Sequence, residues 1–178
     1  MTGVRRHRAD LPVRILVSAC LLGEKVRYDG GHKRDAFLAE KLGKTVDFVP
    51  VCPEVECGLP VPREPMRLSG DTAVPRLLGI ETGCDYTERM TRWTTGKIAE
   101  LAPLDLHGYV CKKDSPSCGM ERGNDAASPD RPVSGMFTKS FMDRFPAITV
   151  LDEAMLQDPA LRSSFLEQAL AMRRPRPD

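Results

Sequence analysis

Short apolar runs alternate with amphipathic stretches along this chain. Four apolar runs predict strands, at 13–19, 46–52, 106–112 and 147–152, and the first of them is rich in β-branched residues. Pro50 argues against a fully regular second strand, because proline cannot donate a hydrogen bond to a sheet ladder. Amphipathic stretches between and after these runs predict helices, at 34–44, 86–103, 138–145 and 159–174. Strands that alternate with helices are typical of an α/β protein.

These elements together predict a single-domain open parallel sheet with flanking helices, a Rossmann-like α/β fold. Two stretches fit the pattern less well. The proline-rich PVPREP at 60–65 cannot form regular structure, and 67–85 contains strand-like pieces broken by glycine and proline.

The length of 178 residues suits one domain and is short for two. We assign the α/β domain to residues 13–172. The flanking segments, 1–12 and 173–178, contain the basic runs RRHR and RRPRP, which are typical of flexible charged tails.

Composition and charge exclude several classes of protein. Apolar residues make up 41% of the chain, enough for a packed core, and 26 basic against 25 acidic residues give a net charge of +1. This balance predicts neither a nucleic-acid partner nor a membrane-surface partner. The apolar stretch 11–22 is interrupted by Arg14 and precedes no cleavage signal, so we expect a cytoplasmic protein.

The chain has six cysteines, at positions 20, 52, 57, 84, 111 and 118. In a cytoplasmic chain of this size, metal binding or catalysis is a more common role for cysteine than a disulfide framework. Cys20 ends the first predicted strand, Cys52 ends the second, and Cys118 lies in the turn after the third. Because parallel strands present their carboxyl ends at one edge of a sheet, we expect these three thiols to converge there.

Three converging thiols are suited to a soft metal or an iron–sulfur cluster, and a set of three leaves one metal position open for chemistry. The intervals of 32 and 66 residues match no local zinc or ferredoxin motif, so the fold placement carries this inference. The alternative is that these cysteines are small buried hydrophobes. Cys57, in the C-x4-C arrangement with Cys52, is an alternative second ligand, whereas Cys111 is expected in the core and Cys84 in a loop.

Polar residues beside the three thiols are candidates for the chemistry. Glu54 follows Cys52 by two residues, and a partly desolvated carboxylate beside a metal site can act as a general acid or base. Ser115 and Ser117, in DSPSCG, offer hydroxyl groups, and their turn offers backbone N–H groups, for a small polar ligand or for the sulfides of a cluster. Asp29, in the turn sequence YDGG, is a further candidate to line the same edge and bind substrate.

Three separated motifs resemble those of the thiouracil desulfidase family, long catalogued as a domain of unknown function. They are SACLLGEKVRYDGG at 18–31, VPVCPEV with GLPVPREP at 49–65, and KKDSPSCG at 112–119. The resemblance runs from about residue 13 to 170. It is greatest to a branch in which this domain is often fused to a second one.

The resemblance implies a 4Fe–4S cluster held by Cys20, Cys52 and Cys118, with one iron left open. It also implies catalytic roles for Glu54 and Ser115. The implied reaction removes sulfur from a small thiolated substrate such as 2-thiouracil without net redox change. Water oxygen replaces the thiocarbonyl sulfur, and sulfide is released.

Two other classes of function remain open at this point. The same thiols could hold zinc or a cluster in a structural or sensing centre without turnover. A metal-free thiol enzyme would need a base beside a nucleophilic cysteine, and none of the three histidines lies in such a motif.

Overall fold

The structure of the chain is a computed structural model that describes residues 12–71, 73–120 and 134–173. Its strands are, in chain order, β1 (Val13–Ser18), β2 (Val46–Val51), β3 (Met66–Ser69), β4 (Arg76–Gly79), β5 (Gly108–Cys111) and β6 (Val150–Asp152). The main sheet has the spatial order β2–β1–β5–β6, and each neighbouring pair is parallel. The predicted α/β fold with an open parallel sheet is therefore confirmed.

The strand order creates a switch point between β1 and β5. After β1 the chain crosses to β2 on one side of the sheet, whereas after β5 it crosses to β6 on the other side. Connections that leave neighbouring strands in opposite directions open a crevice beyond their carboxyl ends.

The helices are α1 (Pro53–Glu56), α2 (Thr87–Leu101), α3 (Met136–Arg144) and α4 (Pro159–Arg173). The three predicted helices that correspond to α2, α3 and α4 are confirmed within two residues at each end. Asp158 caps α4, because its Oδ1 accepts the N–H groups of Ala160 at 2.7 Å and Leu161 at 3.2 Å. The predicted helix at 34–44 is helical over 37–44, but as a short π-helix at Phe37–Lys41 followed by a 3₁₀ helix at Leu42–Lys44 rather than as an α-helix.

Each face of the main sheet has its own apolar core because side chains alternate along a strand. On one face Ile15 packs with Phe165 of α4, and on the other Leu16 packs with Tyr109 and with Phe141 of α3. The rings of Tyr109 and Phe141 meet edge to face at 5.1 Å. Burying each of these side chains contributes about 1.5–3 kcal/mol, so the strand ends are held on a rigid base.

The stretch 67–85 contains a second, antiparallel ribbon outside the main sheet. Strand β3 pairs with β4 from Met66 opposite Gly79 to Ser69 opposite Arg76. Leu68 and Leu77 pack against Met90 of α2. The ribbon therefore anchors the irregular segment 60–65, which precedes it, beside the sheet.

Pro50 does not interrupt β2, which pairs with β1 along its full length. β2 is at the edge of the sheet, so one side of it has no neighbouring strand and a missing N–H is tolerated. The predicted tails lie outside the described residues, except for residues 12 and 173. Among the helices that the structure describes, none has the length and apolar character needed to cross a membrane.

Candidate active site

The three thiols predicted to converge do line one cleft beyond the carboxyl ends of the sheet. Cys20 lies in the 3₁₀ turn directly after β1, Cys52 lies between β2 and α1, and Cys118 lies in the turn after β5. The cleft has a volume of about 440 Å³. It is large enough for a small molecule, in the position where α/β folds bind their ligands.

The turn that carries Cys118 is shaped by its own serine and glycine. Ser115 Oγ accepts the backbone N–H groups of Ser117 at 3.3 Å and Cys118 at 3.2 Å. Gly119 donates its N–H to the carbonyl of Ser115 at 2.9 Å, and a Cβ at Gly119 would lie 2.7 Å from that oxygen. The serine and the glycine together fold the turn tightly enough to direct the thiol back toward β1.

Ser18, at the end of β1, ties the Cys118 turn to the sheet. Its hydroxyl donates to Cys118 Sγ at 3.3 Å and accepts the N–H of Lys112 at 3.0 Å. Gly135, before α3, supports the turn from behind, since a Cβ there would lie 2.6 Å from the carbonyl carbon of Ser117. The position of the Cys118 thiol is thus fixed by β1 and α3 as well as by its own turn.

Burial and mutual proximity keep the three thiols protonated in the metal-free protein. Burial, and then the nearby thiols of Cys118 and Cys52, raise the pKa of Cys20 to about 12. Burial also raises the pKa of Cys52 to about 12, with Cys118 contributing, and it raises the pKa of Cys118. Cys118 therefore disfavours a thiolate at both Cys20 and Cys52, as expected for groups that lie in one cleft.

These raised pKa values predict how the metal-free protein reacts. At pH 8 a thiol with a pKa of about 12 is a thiolate in roughly one molecule in ten thousand. We expect iodoacetamide to label exposed Cys84 well before Cys20 and Cys52, as followed by peptide mass spectrometry. The denatured protein, in which all six cysteines should react at similar rates, is the control for labelling. Equal labelling of these cysteines in the folded protein would contradict the labelling prediction.

The raised thiol pKa values also predict the pH dependence of cluster loading. Cluster ligands are thiolates, so we expect loading to release protons and to be more favourable at pH 9 than at pH 7.

The donor set fits a cluster better than a single ion. Among the described residues, no three His, Cys, Asp or Glu side chains are close enough together to hold one metal ion. A cluster of four irons and four sulfides is larger than one ion, so its protein ligands lie further apart, and those ligands are thiolates. Cys20, Cys52 and Cys118 line one cleft of about 440 Å³ and supply the kind of ligand that such a cluster takes.

Glu54, on α1, is held in the same cleft by two partners. Arg63 donates through Nε at 2.8 Å and Nη2 at 2.5 Å to Glu54 Oε2, and Ser117 Oγ donates at 2.8 Å to Oε1. The side chains of Glu54 and Arg63 are only 12% and 6% exposed. Both carboxylate oxygens therefore act as hydrogen-bond acceptors within the cleft.

A chain of hydroxyl groups connects Glu54 to the thiol turn. Ser117 uses its only hydroxyl proton toward Glu54, so Ser115 is the donor in the 3.0 Å contact between Ser115 Oγ and Ser117 Oγ. Ser115 is half-buried and lines the cleft, whereas Ser117 is 1% exposed. The order Ser115, Ser117, Glu54 is therefore a directed path for a proton from the cleft to the carboxylate.

Two of the residues singled out in the sequence lie outside the lining of this cleft. The thiol of Cys57 contacts the carbonyl oxygen of Glu54 at 3.2 Å and packs against the apolar cluster around Leu59 and Met90. This position favours Cys52 as the second ligand. Asp29 is exposed, accepts the N–H of Gly31 at 2.9 Å, and does not line the cleft, although its neighbour Tyr28 does.

Sequence reasoning missed several residues that build the site. Arg63 is the most important, because it contacts the Glu54 carboxylate directly. Ser18 orients Cys118, and Lys112 lines the cleft while pairing with Glu153 after β6. The sequence signal for Arg63 is its place in VPREP, three residues after GLP, where Pro62 and Pro65 restrict the backbone on either side of it. Ser18 and Lys112 have no comparable signal in the sequence.

The fold and the cleft define an α/β protein with a cleft of small-molecule size, lined by three thiols, beyond the carboxyl ends of a parallel sheet. Comparison with known proteins narrows this class. The family model described as 2-thiouracil desulfurase matches residues 15–153, and the chain belongs to that family. The resemblance drawn from the three sequence motifs is thereby confirmed.

Two relatives illustrate the likeness. The chain is 30% identical over 152 residues to the uncharacterized protein YbbK of Bacillus subtilis (strain 168), an alignment that covers 81% of this chain and 98% of the relative. A solved structure, described as the 4Fe-4S-dependent thiouracil desulfidase TudS, matches with a TM-score of 0.66 and 31% identity. That match covers 85% of this chain and 97% of the other, so the likeness extends over almost the whole TudS chain. Together the family and the structural match support a thiouracil desulfidase-like enzyme.

Proposed function

We propose that this protein removes sulfur from a thiolated nucleobase, with a 2-thiouracil-like thiocarbonyl compound as its small-molecule substrate. Water oxygen replaces the sulfur at carbon and sulfide is released, so the reaction is a substitution with no net redox change. The observation that carries the proposal is the meeting of three thiols and a fixed carboxylate in one cleft. The family match and the likeness to a 4Fe-4S-dependent desulfidase support it.

Cys20, Cys52 and Cys118 are the proposed ligands of a 4Fe–4S cluster. They are the cysteines that line the cleft, and they lie in the connections that follow three different strands. When bound, such a cluster supplies an iron with one free coordination position, a Lewis acid whose softness suits sulfur.

Glu54 is the proposed base, and Ser115 and Ser117 are its relay. A water molecule that attacks the thiocarbonyl carbon must lose a proton. Ser115 lies at the cleft end of the hydroxyl path, so it takes that proton while passing its own to Ser117 and on to Glu54 Oε1. The proton returns along the same path to the departing sulfur. The second proton of the water, left on the hydroxyl of the adduct, takes the same path to the sulfur as the C–S bond breaks. Water and thiocarbonyl are thus converted to carbonyl and hydrogen sulfide with atoms and charge balanced.

Ser117 is assigned to this relay rather than to substrate binding. It is 1% exposed, and its hydroxyl group is engaged by Ser115 and Glu54. The walls of the cleft instead provide the contacts to the nucleobase. Tyr28 and Ile80 are 41% and 54% exposed and line the cleft, and they offer apolar surfaces to a flat ring. On this proposal Asp29 acts on the substrate indirectly. Its Oδ1 lies 3.5 Å from Nε of Arg27, the residue that precedes Tyr28 in the chain.

The two cysteines of the C-x4-C arrangement are expected to behave differently. Cys52→Ala should lose nearly all bound iron, because it removes a ligand from the cleft. Cys57→Ala should keep its iron and lose only about 1 kcal/mol or less of stability, since that half-buried thiol packs away from the cleft. Iron per chain after anaerobic reconstitution, together with a urea unfolding curve, checks both. Loss of iron from Cys57→Ala alone would assign the second ligand to Cys57 instead.

Anaerobic reconstitution tests the function as a whole. We expect about four iron and four acid-labile sulfide per chain, and sulfide release from 2-thiouracil only by the loaded protein. The metal-free protein under the same conditions is the control. Iron and sulfide without turnover of any thiolated base would favour a structural or sensing centre, and bound zinc without iron would overturn the cluster.

A further inference from the structure

We propose that Arg63 is the positioning residue of this site, and that it selects which oxygen of Glu54 receives the proton. The inference rests on the proposed function, because it concerns the proton path of that reaction. It comes from the hydrogen bonds of the buried Arg63 guanidinium group, which the sequence motifs by themselves do not show.

The guanidinium group of Arg63 binds only one of the two carboxylate oxygens. Nε and Nη2 both donate to Glu54 Oε2, at 2.8 and 2.5 Å. Oε1 is left to the hydroxyl of Ser117, at 2.8 Å. Oε2 is thereby occupied by two donors, so Oε1 is the oxygen that can take up a proton from the relay.

The other hydrogen bonds of Arg63 fix the orientation of its guanidinium group. Nη2 also donates to the carbonyl of Val26 at 2.9 Å, and Nη1 donates to the carbonyl of Pro60 at 3.1 Å. The backbone N–H of Arg63 donates to the carbonyl of Tyr28 at 2.8 Å. The guanidinium therefore joins the loop after Cys20, the helix that carries Glu54, and its own loop.

Only an arginine can make these contacts together. Its planar group presents donors in several fixed directions, whereas a lysine presents its three donors from a single nitrogen. A lysine at this position could retain the charge beside Glu54 but could not also reach the carbonyls on both sides. Arg63→Lys thus separates the effect of charge from the effect of orientation.

The test is a double-mutant cycle on sulfide release from 2-thiouracil, with rates normalised to iron per chain. We expect Arg63→Ala to lower kcat by about 100-fold in the wild-type background, because a misplaced catalytic group typically costs that much. In the Glu54→Gln background the same change should lower kcat by less than about threefold, since residues that act as a unit are not additive. KM should change little in either background.

Two further measurements distinguish orientation from folding. Guanidinium ion added to Arg63→Ala should restore part of kcat, and it should leave Glu54→Gln unchanged. Arg63→Lys should lose about tenfold in kcat despite keeping its charge. The matched control is Arg76→Ala, which removes an arginine–aspartate pair from an exposed position outside the cleft and should keep wild-type kcat.

Equal losses for Arg63→Ala in both backgrounds, with no rescue by guanidinium, would overturn the inference. Loss of iron from both Arg63→Ala and Arg63→Lys would also overturn it, because Arg63 would then act through the fold. These results leave the proposed function standing. Absence of sulfide release from the loaded wild-type protein would instead overturn the proposed function, and the Arg63 inference with it.

Discussion

Replacing Cys118 with alanine is expected to abolish both iron loading and sulfide release. The thiol lies in a turn that Ser115 and Gly119 shape and that Ser18 anchors to β1. No other cysteine occupies an equivalent position, since Cys111 is fully buried within β5. Loss of a residue that only hydrogen-bonds to a metal ligand typically lowers activity by roughly 10–100-fold, and loss of the ligand itself should lower it further.

The fold should survive that substitution, which makes the result interpretable. The change removes one small buried side chain, for which a cost of about 1 kcal/mol is typical. Circular dichroism and the unfolding midpoint should therefore stay near those of the wild type, while iron content and the visible absorption of the cluster disappear. Cys84→Ala, which removes an exposed thiol outside the cleft, is the matched control. A Cys118→Ala protein with wild-type iron content would refute its assignment as a ligand.

Glu54→Gln is expected to give the opposite combination, a loaded but slow enzyme. Glutamine keeps the size of the side chain, and its amide oxygen can still accept from Arg63, so the cleft should keep its shape. The amide cannot take up the proton that Ser117 delivers to Oε1. We expect kcat to fall by about 10²–10⁴-fold, the usual contribution of general acid–base catalysis.

Iron per chain and steady-state kinetics on 2-thiouracil separate these effects. The iron content of Glu54→Gln should equal that of the wild type, and KM should change far less than kcat. Glu88→Gln is a suitable control because Glu88 is 86% exposed on α2 and, within the part of the chain that the structure describes, pairs with Arg92 on the same helix. Full activity in Glu54→Gln would remove Glu54 from the proton path and leave its ion pair with Arg63 as structural.

The two substitutions probe opposite sides of one cleft. Cys118 comes from the connection after β5, whereas Glu54 comes from the helix after β2, and β1 lies between those strands. Ser117 spans the gap, because it neighbours Cys118 in the chain and donates to Glu54 across 63 positions of sequence. The hydroxyl path therefore exists only when the strand order brings the two connections together.

The sequence was sufficient to predict the fold class and the three thiols that line the cleft. Both follow from local patterns combined with one geometric rule. β-branched runs such as 13–19 predict strands, and parallel strands must present their carboxyl ends at the same edge. Cys20 and Cys52 end strands and Cys118 follows one, so their meeting needed no knowledge of distances. Glu54 followed for the same reason, because it lies two residues beyond Cys52.

Periodicity was a weaker guide where the backbone departs from regular structure. It predicted the helical segment at 34–44 but not its type, which is a short π-helix followed by a 3₁₀ helix. It also gave no clear interpretation of 67–85, because antiparallel strands four residues long are too short for their alternation to stand out. Pro50 is tolerated in β2 because that strand is at the edge of the sheet. The place of a strand in the sheet is a property of the whole topology and not of the local sequence.

Tertiary structure alone decided which polar side chains meet inside the cleft. Arg63 could be seen as an unusual residue between prolines, but its three donor directions reach Glu54, Val26 and Pro60 only after the loops have packed. Cys52 and Cys57 are five positions apart, and the short helix between them turns one thiol into the cleft and the other into the apolar cluster beneath the ribbon. Sequence spacing determines which segments end at the same edge. The direction of each side chain there depends on contacts between segments distant in the chain, which no local pattern records.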